Sequence, residues 1–233
     1  MKRMSFSVLV LCLFLIPALC DVARADTRTL SYSDFTGVSV GWGMRLDITQ
    51  SSSYSVQVTG DLDDLDDLKV AKRGKTLTFE MDRHFGWTRR GRISVEISMP
   101  TLTELDLSGG SVAHITMDIG GKSFAAHLSG GSSLEGDLRC ADVSFDLSGG
   151  SEVGVTGAAH NLELDGSGGS EFKLREFSVA NVTVDMSGGS EAVVNMEGSL
   201  RASQSGGSEL TYYGHATVEE NESSGGSKIR KGN

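Results

Sequence analysis

Residues 143–155 read Val143-Ser144-Phe145-Asp146-Leu147-Ser148-Gly149-Gly150-Ser151-Glu152-Val153-Gly154-Val155. Apolar and polar residues alternate up to the serine, and alternate again after it. A period of two places one set of side chains on one face of a β-strand, so both flanks read as strands with a single buried face. Between them, Ser-Gly-Gly-Ser cannot continue a strand without a sharp turn. Glycine reaches positive φ without steric cost, and the serines can bond to the turn backbone.

The same motif starts at Ser108, Ser129, Ser148, Ser167, Ser187, Ser205 and Ser224, at intervals of 21, 19, 19, 20, 18 and 19 residues. A near-constant period of this length marks one coil per repeat of a solenoid. The alternation recurs around the other motifs, as at Val182, Val184 and Met186 before one and Phe172 and Leu174 after another. Each coil is expected to hold a strand, a Gly-Gly corner, a second strand and a short third strand. The corner glycines are Gly109, Gly110, Gly130, Gly131, Gly149, Gly150, Gly168, Gly169, Gly188, Gly189, Gly206, Gly207, Gly225 and Gly226. The chain has two prolines, as a continuous ladder requires. The expected fold is all-β, a β-helix or β-solenoid of about seven coils of about 19 residues.

Working outward, residues 101–227 form the repeat solenoid and 228–233 a basic tail. The last coil looks polar, with Glu219, Asn221 and Ser223 where earlier coils are apolar. Residues 26–100 lack the motif but still alternate, at Val38 and Val40, Leu46 and Ile48, and Ile93, Val95 and Ile97. They read as a less regular N-terminal β cap. Within it Leu62, Leu65 and Leu68 are spaced by three among aspartates, which suggests one helical turn or an irregular corner. Residues 1–25 read as a signal peptide: Lys2 and Arg3, an apolar run from Val8 to Leu19, then Ala23-Arg24-Ala25. That run is shorter than the ~20 residues a membrane helix needs. Lipidation at Cys20 is the lesser alternative, because Leu19 before it is not small. The expected compartment is the periplasm, the outer-membrane surface or the outside of the cell.

Removing residues 1–25 takes the net charge from −10 to −12. An acidic balance of this size argues against nucleic acid or an anionic membrane as partner. Cys140 alone of the three cysteines remains, so no disulfide within the mature chain is expected.

The chain resembles the head GIN domain family of auto-transporter adhesins. The resemblance is carried by Phe35 with Val38 and Val40, by Leu65 to Val70 leading into Leu77-Thr78-Phe79, and most specifically by Pro100-Thr101-Leu102-Thr103-Glu104-Leu105-Asp106-Leu107-Ser108-Gly109-Gly110-Ser111. It covers about residues 30 to 215. It implies a β-helix-like fold and placement at the cell surface, and it carries no established catalytic residues. An auto-transporter brings its own C-terminal membrane barrel. This sequence ends a few residues after the last motif, so an adhesin role without self-transport is expected.

Three groups of residues are candidates for chemistry. Glu152, Glu171, Glu191 and Glu209 follow successive motifs, and stacking would bring them to about 4.8 Å spacing. Ca²⁺ is the natural cation for such oxygens, but a solvated acidic face is the reading preferred, since the nonapeptide of calcium-binding β-rolls is absent. A parallel series is Asp106, Asp146, Asp165 and Asp185, interrupted by His127. Asp61, Asp63, Asp64, Asp66 and Asp67 lack the spacing of a calcium loop. The third group is His84, Phe85, Trp87, Arg89 and Arg90, a basic and aromatic cluster in an acidic chain and a candidate partner-binding surface. Two functional readings follow. One is an exported, non-catalytic binding or scaffolding module, adhesin-like, with a cell-envelope glycan or protein as partner and no cofactor unless Ca²⁺. The other is a carbohydrate-active enzyme using paired carboxylates on a β-helix.

Overall fold

The computed structural model describes residues 25–82 and 92–233. The expected signal peptide and the cluster His84, Phe85, Trp87, Arg89 and Arg90 lie outside the described residues. No described helix is long and apolar enough to cross a membrane.

Strands β1 (Asp26–Leu30), β2 (Gly37–Val40), β3 (Arg45–Gln50) and β4 (Ser55–Gly60) precede the short helix α1 (Leu62–Asp67). After it come β5 (Leu68–Arg73), β6 (Thr76–Met81) and β7 (Ser94–Met99). The motif region holds β8 (Glu104–Leu107), β9 (Val112–Asp118), β10 (Ser123–Leu128), β11 (Ser133–Arg139), β12 (Asp142–Leu147), β13 (Glu152–Gly166), β14 (Glu171–Met186), β15 (Glu191–Met196), β16 (Ser199–Gln204), β17 (Glu209–Gly214), β18 (Thr217–Ser223) and β19 (Lys228–Lys231). The solenoid is built from these strands as parallel ladders.

Strands before each motif stack on one another and form sheet A, in the order β8, β10, β12, β13, β14, β16, β18. Strands after each motif form sheet B, in the order β9, β11, β13, β14, β15, β17, β19. β13 and β14 run through the return corner, opposite the glycine pair, and serve both sheets. A coil therefore has two strands, not three. The residues expected to form a third strand are used up in the return corner or in the continuous length of β13 and β14. The registers pair identical motif positions, such as Asp146 with Asp165 and Glu171 with Glu191. Inward side chains pack in one apolar core that includes Phe124, Phe145, Phe172 and Phe177, each at most 1% exposed.

The N-terminal region adds two further coils in an order that differs from the sequence. β2 pairs with β8 on one side and β6 on the other, and β3 pairs with β9 and β7. The coil formed by residues 37–50 is thus sandwiched between the first motif coil and the coil formed by β6 and β7. Antiparallel β4 and β1 extend sheet B beyond β7, and antiparallel β5 extends sheet A beyond β6. α1 joins β4 to β5 at this end with Leu65 buried, and Arg28 holds it through the Leu65 carbonyl (2.7 Å) and Asp66 (2.5 Å).

At the other end all seven residues of β18 are exposed. Val218, Asn221 and Ser223 lie over Leu200, Ala202 and Gln204, and a bulge takes up Glu219. The expectation that Glu219 takes an apolar position is corrected here. Val218 takes it, and Glu219, freed by the bulge, pairs with Arg201. Gln204 is 3% exposed, and neither amide atom has a partner among the described residues. Its place in the column belongs to Leu107, Leu128, Leu147 and Met186 in other coils. A buried polar group without a bond costs about 1–3 kcal/mol. Gln204→Met is accordingly expected to raise the stability measured by urea denaturation by about that amount, and a loss would contradict the assignment.

Candidate functional site

The corners fix where every outward side chain stands. In the first six motifs the second serine turns inward: Ser111, Ser132, Ser151, Ser170, Ser190 and Ser208 are at most 1% exposed. Each Oγ donates to the carbonyl of the first serine at 2.8–3.0 Å. The polar group is thereby satisfied inside the core, which is why a serine is tolerated there. The two glycines differ in role along the stack. Both are left-handed at Gly109-Gly110, Gly130-Gly131 and Gly149-Gly150, whereas from Gly168 onward only the first is. Gly169, Gly189, Gly207 and Gly226 instead have ordinary φ, and the N–H of the last three bonds to the corner carbonyl one coil below at 2.5–2.8 Å. The turn has rotated so that a ladder hydrogen bond forms where none exists in the earlier coils.

On sheet A the outward positions from β8 to the second half of β14 carry Glu104, Asp106, Asp142, Asp146, Glu163, Asp165 and Asp185, with His127 and no lysine or arginine. Asp146, Asp165 and Asp185 are direct neighbours across the ladder. Burial first, then Glu163, Asp146 and Asp185, raise the Asp165 pKa above its ordinary value. Asp106 is raised by burial and Glu104, and lowered by His127. His127 Nδ1 stands 3.4 Å from Asp146. Small residues, Ala125 and Ser144, leave a shallow trough of 440 Å³ in the middle of this face, walled by Asp142, Asn161, Glu163 and Thr183. Asp142 and Asn161 are tied by a 2.6 Å hydrogen bond, and Asn161 to Asn181 by one of 3.0 Å, so the wall is ordered by its own ladder.

Sheet B differs. Glu152, Glu171, Glu191 and Glu209 do stack in register. The chain's own cations sit among them. Lys173 Nζ lies 2.7 Å from Glu152 and 3.2 Å from Glu171, and Arg230 lies 2.9 Å from Glu209. The hydrogen bond to Glu152, then that to Glu171, holds the Lys173 ammonium above its ordinary pKa. Three of the four carboxylates, Glu152, Glu171 and Glu209, are thus paired with the chain's own cations. Among the described residues no group of three or more His, Cys, Asp or Glu side chains is arranged to hold a metal ion. The aspartates around α1 are likewise partnered in part, Asp66 by Arg28. Cys140 is half-buried, and burial followed by Asp142 pushes its thiol up to about 12, far from a reactive thiolate.

Two features escaped the sequence reading. One is the second acidic column, Glu104 and Glu163 with Asp142 at its edge, which only the register brings beside the first. The other is Trp42. It is 57% exposed and left-handed at φ 63°, over Gly109. Its signal was present: Gly41-Trp42-Gly43-Met44 stands between Val38 and Val40 and Leu46 and Ile48, as each Ser-Gly-Gly-Ser stands between its strands.

The pattern defining a family described as "putative auto-transporter adhesin, head GIN domain" matches residues 34–216. The chain belongs to this family. Solved structures agree in fold. A "putative adhesin" from Bacteroides fragilis is 19% identical, with 89% of this chain and 97% of that one aligned at a TM-score of 0.81. A "putative lipid binding protein" from Parabacteroides distasonis is 17% identical, covering 91% of this chain and 98% of that one, at 0.70. A "putative adhesin" from Parabacteroides merdae is 16% identical, covering 91% and 98%, at 0.68. No curated protein matches. At these identities the likeness of the head GIN coils to these structures concerns the fold.

Proposed function

We propose that this head GIN protein is an exported, non-catalytic, adhesin-like module that docks a cationic cell-envelope partner on sheet A. The observation that carries the reading is the charge asymmetry of the two sheets. On sheet B, Lys173 and Arg230 pair with Glu152, Glu171 and Glu209. On sheet A, from β8 to the second half of β14, seven outward carboxylates share one face with no lysine or arginine among them, and the next strand, β16, brings Arg201. Like charges at ladder spacing repel by about 1 kcal/mol even in bulk water. A stack that carries this repulsion across several coils is less stable than it could be, and a partner bearing amino or guanidino groups would relieve it. Flatness and repetition suit many weak contacts acting together, and a field of one sign steers a cationic partner to the face.

The pKa of Asp165 gives a test in which binding and stability move oppositely. Its folded-state value is raised, so the folded state binds protons more readily than the unfolded chain. Its penalty is absent well below the ordinary value of 3.8 and grows as pH rises through the raised value. Asp165→Asn is therefore expected to be more stable than the parent at pH 7 and no more stable at pH 3. The triple variant Asp146→Asn, Glu163→Gln, Asp165→Asn should bind immobilised poly-lysine or a deacetylated, amine-bearing glycan at least tenfold more weakly. Parent binding should fall steeply between low salt and 0.15 M. Equal binding by parent and triple variant would defeat the proposal, and turnover of the glycan would replace it with catalysis. Poly-lysine against amine-bearing glycan distinguishes a protein from a carbohydrate partner, and adding Ca²⁺ shows whether a metal competes for the face.

A further inference from the structure

Across the seven motif coils, the first corner position is always glycine, left-handed at φ between 62° and 78°. The coil of β2 and β3 presents the same corner directly over Gly109, with Trp42 in that position at φ 63°. A residue with a Cβ held there costs roughly 1–2 kcal/mol. The indole is also 57% exposed, so it returns little of the ~1.5–3 kcal/mol that burial of a large apolar side chain yields. The fold therefore carries, at a place where glycine serves seven times, the largest side chain available and leaves it in solvent. Backbone strain of this kind collects at binding sites.

Beside Trp42 lies a cleft of 320 Å³, lined by Ser39, Gly41, Thr78, Glu80 and Ser108. Its size is at the lower end of the about 300–1,000 Å³ of small-ligand clefts. Three hydroxyls and a carboxylate surround an aromatic face. Gly41 keeps the floor clear, since a Cβ there would come within 2.9 Å of Ser108 Oγ. A pyranose ring matches this chemistry. Its C–H face is apolar and weakly positive and stacks on the negative π face of an indole. Its hydroxyl rim needs partners that both donate and accept, and Glu80 offers charge-assisted bonds to sugar O–H groups. An anionic ligand is disfavoured by Glu80, and a purely apolar one would leave the hydroxyls of Ser39, Thr78 and Ser108 without partners.

We infer that Trp42 and the adjoining cleft form a carbohydrate-binding site for a neutral pyranose, at the β2–β6 end of sheet A and apart from the carboxylates of β12 to β14. The chain has two tryptophans, Trp42 and Trp87. In a Trp87→Phe background, emission reports on Trp42 alone. Titration with neutral cello-, chito-, manno- and malto-oligosaccharides is expected to give a saturable emission change for at least one series. Trp42→Gly should weaken that binding at least tenfold, as read by calorimetry. Its melting temperature should equal or exceed the parent's, because glycine suits the left-handed corner. Trp42→Phe should restore part of the affinity, and Glu80→Gln should weaken it without altering the fold. A purely structural Trp42 would make Trp42→Gly melt several degrees lower, and that result overturns the inference. So does binding that survives Trp42→Gly, or an unchanged emission with every series. Saturation by an aromatic peptide but by no sugar would also overturn it. All Trp42 variants leave Asp146, Glu163 and Asp165 unchanged, so poly-lysine binding by the same proteins separates failure of this site from failure of the acidic face.

Discussion

Gly136→Ala is expected to abolish the native state at 37 °C. Gly136 lies within β11 at φ 141°, and a Cβ built there would sit 1.9 Å from the Ile115 carbonyl oxygen of β9. Gly157 of β13 repeats the arrangement one coil on, at φ 118° and 2.1 Å from the Leu138 oxygen. The obstacle in both cases is backbone, already committed to the ladder, so neither strand can yield without breaking hydrogen bonds on both sides. A penalty above about 4 kcal/mol follows, which is exceptional for one methyl group. Gly154 supplies the control. It occupies the same strand as Gly157, but its Cβ would meet only the Lys173 Cβ, at 3.8 Å. Gly154→Ala should lie within about 0.5 kcal/mol of the parent. Circular dichroism and urea denaturation read both, and a cooperative transition near the parental midpoint for Gly136→Ala would remove the close-contact account.

The second large effect is expected from Phe145→Ala. Phe145 is fully buried in β12, in register between Ala126 and Leu164, with its ring edge-on to Phe124 at 6.4 Å. A large side chain faces a small one across the ladder, so truncation leaves a cavity that Ala126 cannot fill. The expected loss is about 3–5 kcal/mol. A solenoid is held by nearest-neighbour interfaces, so the damage should be local. Hydrogen exchange should accelerate first in β10, β12 and the second half of β13, and last in β3 and β17. Uniform acceleration throughout the chain would mean a single cooperative unit in place of stacked ones.

How much of this is legible without the structure depends on whether the signal is local. Alternation around Phe145, and the motif at seven places, reveal strands, corners and stacking, because period two and a glycine pair act within a few residues. The Glu152, Glu171, Glu191 and Glu209 column is legible for the same reason. Its neutralisation by Lys173 and Arg230 is not, since Arg230 comes from a strand 21 residues beyond Glu209. Sheet A was half legible. The Asp146, Asp165 and Asp185 column follows from the motif, but its pairing with Glu104 and Glu163 on a stretch, β8 to β14, free of lysine and arginine depends on which strands share a sheet.

The sequence by itself determined a two-faced strand repeated at about 19 residues, and with it a coiled, parallel, all-β stack with serine-lined corners. It determined this because alternation and turn chemistry are properties of short segments. The tertiary structure decided the order of the stack. Residues 37–50 lie between a later coil and the first motif coil, since a parallel ladder accepts a strand of matching face at either edge and chain order does not choose the edge. It also decided that Trp42 stands where every motif coil has glycine. That position exists only once the coil of residues 37–50 is laid over Gly109.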